Sequence, residues 1–245
     1  MNWSWLDLAF PWIGLVFAGL LLALLFGTDL LRSQPSSSPW RDPVWLSWMA
    51  AVAYLLHNGE EYGVDLLGHQ HSFPDALCAF MKLPAYPDCP IPPAFYLAVN
   101  LSLFWIVAPV AAVLSRRHPL VGFAIYSVMF INGLVHIVFV LVSGQAYNPG
   151  LLTAVVVFLP LSLWAGYACF GKDRLSHRAM ALIIICGVIL HVILARSVIS
   201  FAQGLISSTT LVWVQIINAG LLLLILWLGE KWRGGVLTRP AVGLP

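Results

Sequence analysis

The sequence predicts an all-α fold, a polytopic bundle of about seven transmembrane helices with its N-terminus outside and its C-terminus in the cytoplasm. Three observations predict it. Of 245 residues, 60% are hydrophobic and only 9% charged, where a soluble domain carries about 25% charge. The mean hydropathy of +0.90 says the same: this chain cannot cover a water-facing surface. Second, seven runs approach the roughly 20 apolar residues a spanning helix needs. Third, the basic residues collect on one side of a seven-helix alternation, which sets orientation by the positive-inside rule.

The runs are Pro11 to Leu31, Val44 to Glu61, Pro93 to Leu114, Leu120 to Val142, Gly150 to Phe170, Ala179 to Phe201 and Thr210 to Gly229. Arg32 and Arg41 follow the first. Arg116 and Arg117 lie between the third and fourth, and Lys172, Arg174 and Arg178 between the fifth and sixth. Lys231, Arg233 and Arg239 follow the seventh. Lys82 alone falls in a loop on the other side, and Arg196 lies inside a helix, where it is expected to snorkel to the headgroups. A plasma (inner) membrane location follows. No basic N-terminal stretch precedes the first run, so it is expected to stay as a helix rather than be a cleaved signal. The 11 Trp suit two interfacial belts.

Residues 1–245 read as a single transmembrane domain, and SQPSSSP within 32–41 as a flexible cytoplasmic linker. No run of basic residues suggests nucleic acid as a partner. The expected partners are the lipid bilayer and a lipid-like or membrane-embedded substrate. Cys78 and Cys89 share a long outer loop, where either a disulfide or two free thiols would fit. Cys169 and Cys186 read as apolar packing residues.

Within this apolar chain, polar groups gather at one depth. His57, Glu60 and Glu61, then Asn132 and His136, then His191 and Arg196 all rise roughly 18–26 Å from the inner boundary of their helices, at about 1.5 Å per residue. Thr153 and Gln215 fall near the same layer, toward the extracytoplasmic side. Residues three and four apart share a helix face, so His57 faces the same way as Glu60 and Glu61, and Asn132 the same way as His136. Ionisable groups inside a membrane are costly and mark a functional site by default.

A His with a carboxylate one turn on can give a metal two ligands from one helix, and a third from another helix completes a catalytic site with one open position. The expected metal ligands are His57, Glu61 and His136, with His191 as a fourth or a supporting group. The expected ion is divalent, zinc first, with iron or manganese as alternatives. Glu61 is read as the binder and Glu60 as the general base on water, with the reverse assignment open. Asn132, Tyr147 and Thr153 complete the expected catalytic set. A plain structural hydrogen bond is the alternative for His191, and an interfacial turn for Tyr147. A metal-free Glu–His pair could also activate water. His69 and His71 read as solvated loop residues, and His118 and His177 carry no signal.

Three motifs in order give a resemblance: HNGEE at His57 to Glu61, NGLVH at Asn132 to His136, and YNPG at Tyr147 to Gly150. Together they resemble the HXXEE-motif membrane protein family, defined by HxxEE, N-[A/G]-x-x-H and YxPG. The likeness covers Val52 to about Leu163. It implies a family regarded as enzymatic on its motifs, with no established function. A looser likeness of layout, to the CAAX-type membrane endopeptidases, rests on paired Glu followed by two His on later helices. Asp65, Asn132 and Ala195 depart from their motifs. That likeness points to hydrolysis as a class only.

The leading expectation is metal-assisted hydrolysis. Its rivals are a metal-free hydrolase or protease, a proton-coupled transporter, and a non-catalytic metal- or lipid-binding subunit. No phosphate loop, dinucleotide fingerprint or Ser elbow is present, so a nucleotide cofactor is not expected.

Overall fold

The computed structural model describes residues 3–172 and 174–232. Arg233 and Arg239, used in the orientation argument, lie outside them. The described chain is helical: α1 (Trp5–Gly27), α2 (Pro43–Asn58), α3 (Phe73–Phe80), α4 (Pro93–Leu114), α5 (Pro119–Ser143), α6 (Leu151–Cys169), α7 (His177–Ala202) and α8 (Ser208–Trp232).

Among the described residues, six helices are long and apolar enough to cross a membrane: α1, α4, α5, α6, α7 and α8. The second of the seven expected spans does not join them on composition. Its last turn carries His57, Asn58, Glu60 and Glu61, and these polar groups outweigh the apolar stretch before them.

Helix starts follow local chemistry. α1 begins six residues before the expected Pro11, because Ser4 and Asp7 form a capping box there. α2 begins at Pro43 behind Asp42, whose carboxylate accepts from Val44 N and Trp45 N at 2.9 and 3.3 Å. The same Asp42 also takes Ser33 N, Ser33 Oγ and Gln34 N at 2.6–3.0 Å. The stretch expected as a linker, 32–41, thus contacts Asp42 through Ser33 and Gln34 and ends in a 3₁₀ turn at Pro39–Arg41.

α2 sits at the centre. Trp45, Leu46, Ala50, Val52, Ala53 and Tyr54 are all buried, and α1, α4, α5 and α6 pack around them. Lipid is as apolar as these side chains, so close packing rather than water exclusion holds such helices together. Small residues permit that approach: Ala50, Ala51 and Ala53 on α2, and Ala108, Ala111 and Ala112 on α4, are buried. Tyr54 stacks on Phe104 of α4 at 3.6 Å between ring centres. α7 and α8 pack on each other and on α5 and α4, closing the far side.

A second, smaller core covers the end of the bundle where 64–92 connects α2 to α4. Phe10, Tyr62, Ile91, Tyr96 and Leu211 meet there beneath α3. Cys78 of α3 and Cys89 form a disulfide with Cα atoms 6.3 Å apart. Cys169 and Cys186 are free and buried.

Candidate metal centre

α2 does not end where its hydrogen bonds would predict. After Asn58 the backbone widens into a π turn over Gly59–Gly63, closed by Val64 N donating to Gly59 O at 3.0 Å. Such turns interrupt helices mainly at functional sites. Here the turn sends the two adjacent carboxylates in different directions. Glu61 stays on the face of His57, while Glu60 swings to the start of α6.

Glu60 is fully engaged there. Its Oε1 accepts from Tyr147 Oη (2.8 Å) and Leu152 N (3.0 Å), and its Oε2 from Thr153 N (2.7 Å) and Thr153 Oγ1 (2.6 Å). The first N–H groups of a helix have no partner within it, and a carboxylate there also meets the positive end of the helix dipole. With two donors on each oxygen, no lone pair is left to take a proton from water. Glu60, expected as the general base, has both oxygens engaged at the start of α6. Tyr147 Oη also accepts from Leu66 N at 3.0 Å. Its burial and the neighbouring Glu60 keep the phenol protonated well above its ordinary range.

Glu61 faces two histidines. Its Oε1 lies 3.3 Å from His57 Nε2 and 3.4 Å from His136 Nε2, and the three ligand atoms lie within 4.8 Å of one another, all on buried residues. Each ring is oriented from behind. His57 Nδ1 lies 2.7 Å from Thr153 Oγ1. That hydroxyl gives its own proton to Glu60, so it can only accept from His57. His136 Nδ1 meets Asn148 Oδ1, while Asn148 Nδ2 donates to His136 O at 3.0 Å. The amide oxygen is again an acceptor. On both rings Nδ1 therefore faces an acceptor, and Nε2 points at a carboxylate oxygen. His57 Nε2 is buried with no hydrogen-bond partner.

Two imidazole nitrogens and one carboxylate oxygen thus converge. Ligands about 2.0–2.2 Å from a tetrahedral ion stand about 3.3–3.6 Å apart, which the two N–O separations match. A charge-assisted N–H···O bond would be shorter, about 2.7–2.9 Å. The pattern of a ligating His that donates its other N–H to a fixed acceptor is the usual support of a metal site.

Gly150 closes the trio from one side. Its φ is +95°, and a Cβ there would lie 2.6 Å from His136 Cε1, 2.7 Å from His57 Cε1 and 3.0 Å from Glu61 Cγ. Only a glycine fits this approach. Phe158 packs against His57 at 4.4 Å between ring centres, making an apolar wall.

The remaining expected residues fall around this centre. Tyr147 and Thr153 act through Glu60 and His57, not on the open side. Asn132 lines the adjoining cavity, and its Oδ1 is buried without a partner. His191 lines the same cavity but is not one of the three converging ligands; its Nδ1 donates to Gly187 O at 2.8 Å, one turn back on α7. Arg196 is exposed. Of the loop histidines, His69 is exposed, with Nδ1 3.4 Å from Asp65 Oδ2, whereas His71 packs beneath Trp3. Two residues escaped sequence reasoning. Tyr54 lies one turn before His57, a spacing that should have drawn attention to it; its hydroxyl is buried without a partner beside the trio. Asn148 is the variable position of YNPG, and its role depends on a chain reversal that spacing does not reveal.

No curated protein and no solved structure matches the chain. A family model does, described as a protein of unknown function with HXXEE motif, and it covers residues 48–165. That range contains the π turn, both histidines, Asn148, Gly150 and Thr153, so residues 48–165 match the HXXEE family, and the whole trio with its supports lies inside the matched segment.

Proposed function

We propose that this chain is a membrane-embedded, metal-dependent hydrolase acting on a lipid-like or membrane-embedded substrate. The observation that carries the reading is the convergence of His57 Nε2, His136 Nε2 and Glu61 Oε1, with both histidine tautomers set from behind. The donor set, two imidazoles and one carboxylate, suits zinc best, with iron or manganese as alternatives. A bound divalent ion would lower the pKa of a water and polarise a carbonyl at the open position.

The chain's own residues supply the rest. With Glu61 Oε1 as the ligand atom, its Oε2 would be the acceptor for the proton from water, since both oxygens of Glu60 are engaged. Tyr54 brings a free hydroxyl that can donate to oxygen charge developing on the substrate. Asn132 offers an acceptor to the substrate's polar group. Thr153 and Asn148 keep both imidazoles in the ligating tautomer.

α2 with its π turn makes a seventh crossing, screened from lipid by its neighbours and therefore free to carry polar groups. Its 21 residues from Pro43 to Gly63 span about 30 Å at about 1.5 Å per residue, the thickness of the hydrocarbon core. With seven crossings the N-terminus is outside and the site lies in the outer half of a plasma membrane. The Cys78–Cys89 disulfide suits an oxidising outer face.

Metal stoichiometry tests the reading. Detergent-purified protein should carry close to one zinc, iron or manganese per chain by mass spectrometry, and a His57→Ala/His136→Ala variant none. Folded wild type that holds no metal when prepared without chelator would sink the metal reading and turn attention to a Glu61–His general base.

A further inference from the structure

Beside the trio lies a cavity of about 470 Å³, within the roughly 300–1,000 Å³ of small-molecule sites. Its walls come from α3, α4, α5, α7 and α8, with Glu61 and His136 at one end. We propose that this cavity binds an uncharged long-chain amphiphile, a fatty amide or alcohol, which enters sideways from the bilayer between α5 and α7. The proposal rests on the hydrolase reading for its biological role, but the binding itself does not require a metal.

The entrance follows from exposure. Val135, Val138 and Val142 of α5 and Ala195 of α7 line the cavity and are also exposed on the molecular surface. The wall is therefore open toward lipid. Nearer the other membrane face the same two helices close up, where Gly187 of α7 packs on the Ser127 carbonyl of α5. At the loop end, α3 and the residue after it roof the cavity with Phe73, Leu77 and Met81, and the disulfide ties α3 to the loop beyond it. Most of the exposed lining lies on α5 and α7, with Phe80 of α3 beside it, so a ligand already dissolved in the bilayer has a short path.

The class of ligand follows from the lining. It is mostly apolar, and it contains no Lys or Arg. In the metal-free protein a phosphate headgroup would find no Lys or Arg there and would meet Glu61. The unsatisfied groups are instead neutral. The Tyr54 hydroxyl is a donor on a residue 1% exposed, and Asn132 Oδ1 is an acceptor; neither has a hydrogen-bond partner. A buried polar group without a partner costs about 1–3 kcal/mol. A ligand presenting one acceptor and one donor, as an amide or an alcohol does, relieves both. Its chain then lies among Leu194, Val135 and Phe139 toward the opening.

Photolabelling tests this on the detergent-purified full chain, with palmitamide carrying a diazirine in its chain as probe. Labelling should saturate, map to Val135, Phe139 or Leu194, and be displaced at least tenfold more effectively by unlabelled palmitamide than by lysophosphatidic acid. Tyr54→Phe and Asn132→Leu should each weaken it about fivefold, the loss of one hydrogen bond, in variants whose melting temperature is not lowered. Ala195→Trp should block it at the portal. Persistence of labelling after chelator treatment separates this proposal from the metal centre: the cavity reading then stands even if no metal is ever found. Equal competition by lysophosphatidic acid, or unsaturable labelling spread over the lipid-facing sides of α1 and α8, would overturn it.

Discussion

Glu60 and Glu61 are neighbours in sequence and opposites in circumstance. Glu60 accepts four hydrogen bonds, and Glu61 shares one oxygen between two imidazole nitrogens. Amide replacements should separate them. Glu60→Gln turns an N–H₂ toward groups that are themselves donors, so stability should fall by about 1–3 kcal/mol, read as a lower melting temperature. Glu61→Gln should leave melting unchanged or higher without metal, yet abolish metal retention. If both variants lose metal with equal loss of stability, the division of roles is wrong. Gly150 makes a sharper demand. Gly150→Ala asks an L-residue to hold φ +95°, at a cost of about 1–3 kcal/mol, with a methyl group pressed against both ligating rings. Metal content should collapse while α1 and α8, remote from this turn, keep their helicity by circular dichroism. Spacing alone made His57, Glu61 and His136 legible, since i,i+4 on one helix and equal depth on another are one-dimensional facts. The cap role of Glu60 was not legible, because its donors come from residues 147–153, nearly a hundred positions away.

The elements around the site bend the rules of regular helices where chemistry is placed. Three π segments, at Gly59–Gly63, Leu101–Val107 and Ala154–Phe158, lie in α2's extension, α4 and α6. Hydrophobic periodicity found the helices but not these turns, since a single widened turn hardly disturbs an apolar pattern. α3 was missed outright: its eight residues are amphipathic but too few to stand out inside a loop. Its approach holds a testable electrostatic feature. His71 Nδ1 donates to Tyr62 O at 3.2 Å, its Nε2 is buried without a partner, and Trp3 covers its ring at 4.3 Å between centres. Burial pushes its pKa below the ordinary value, although Asp7 and Asp75 face it. A folded pKa below the unfolded one of about 6.5 means the stability is fully present above that pH. It is lost as pH falls through the lowered folded value. Melting temperature should therefore drop between neutral pH and about pH 5. His71→Asn, which tolerates the positive φ of 53°, should flatten part of that slope. An unchanged slope would place the titration elsewhere.

The molecule is arranged inside out relative to a soluble protein. Its most polar helix, α2, is its most central, and its most apolar helices face outward. That explains why composition alone counts six crossings while charge alternation counts seven. A central helix does not need lipid-compatible side chains, because other helices rather than lipid surround it, and polar groups inside a membrane protein face the bundle interior. The two counts make different topologies. With seven crossings, residues 28–42 and 64–92 lie on opposite faces; with α2 not crossing, they share one. Ser36, Gln70 and Gln145 are all exposed, so single cysteines there can be labelled without disturbing packing, and native Cys169 and Cys186 are buried. In intact cells a membrane-impermeant maleimide should label Gln70→Cys and Gln145→Cys but not Ser36→Cys, which should react only after permeabilisation. Labelling of Ser36→Cys together with Gln70→Cys in intact cells would mean that α2 re-enters its own face. The trio would then sit at the bottom of a re-entrant loop, and its access to water, the co-substrate of any hydrolysis, would come from the opposite side.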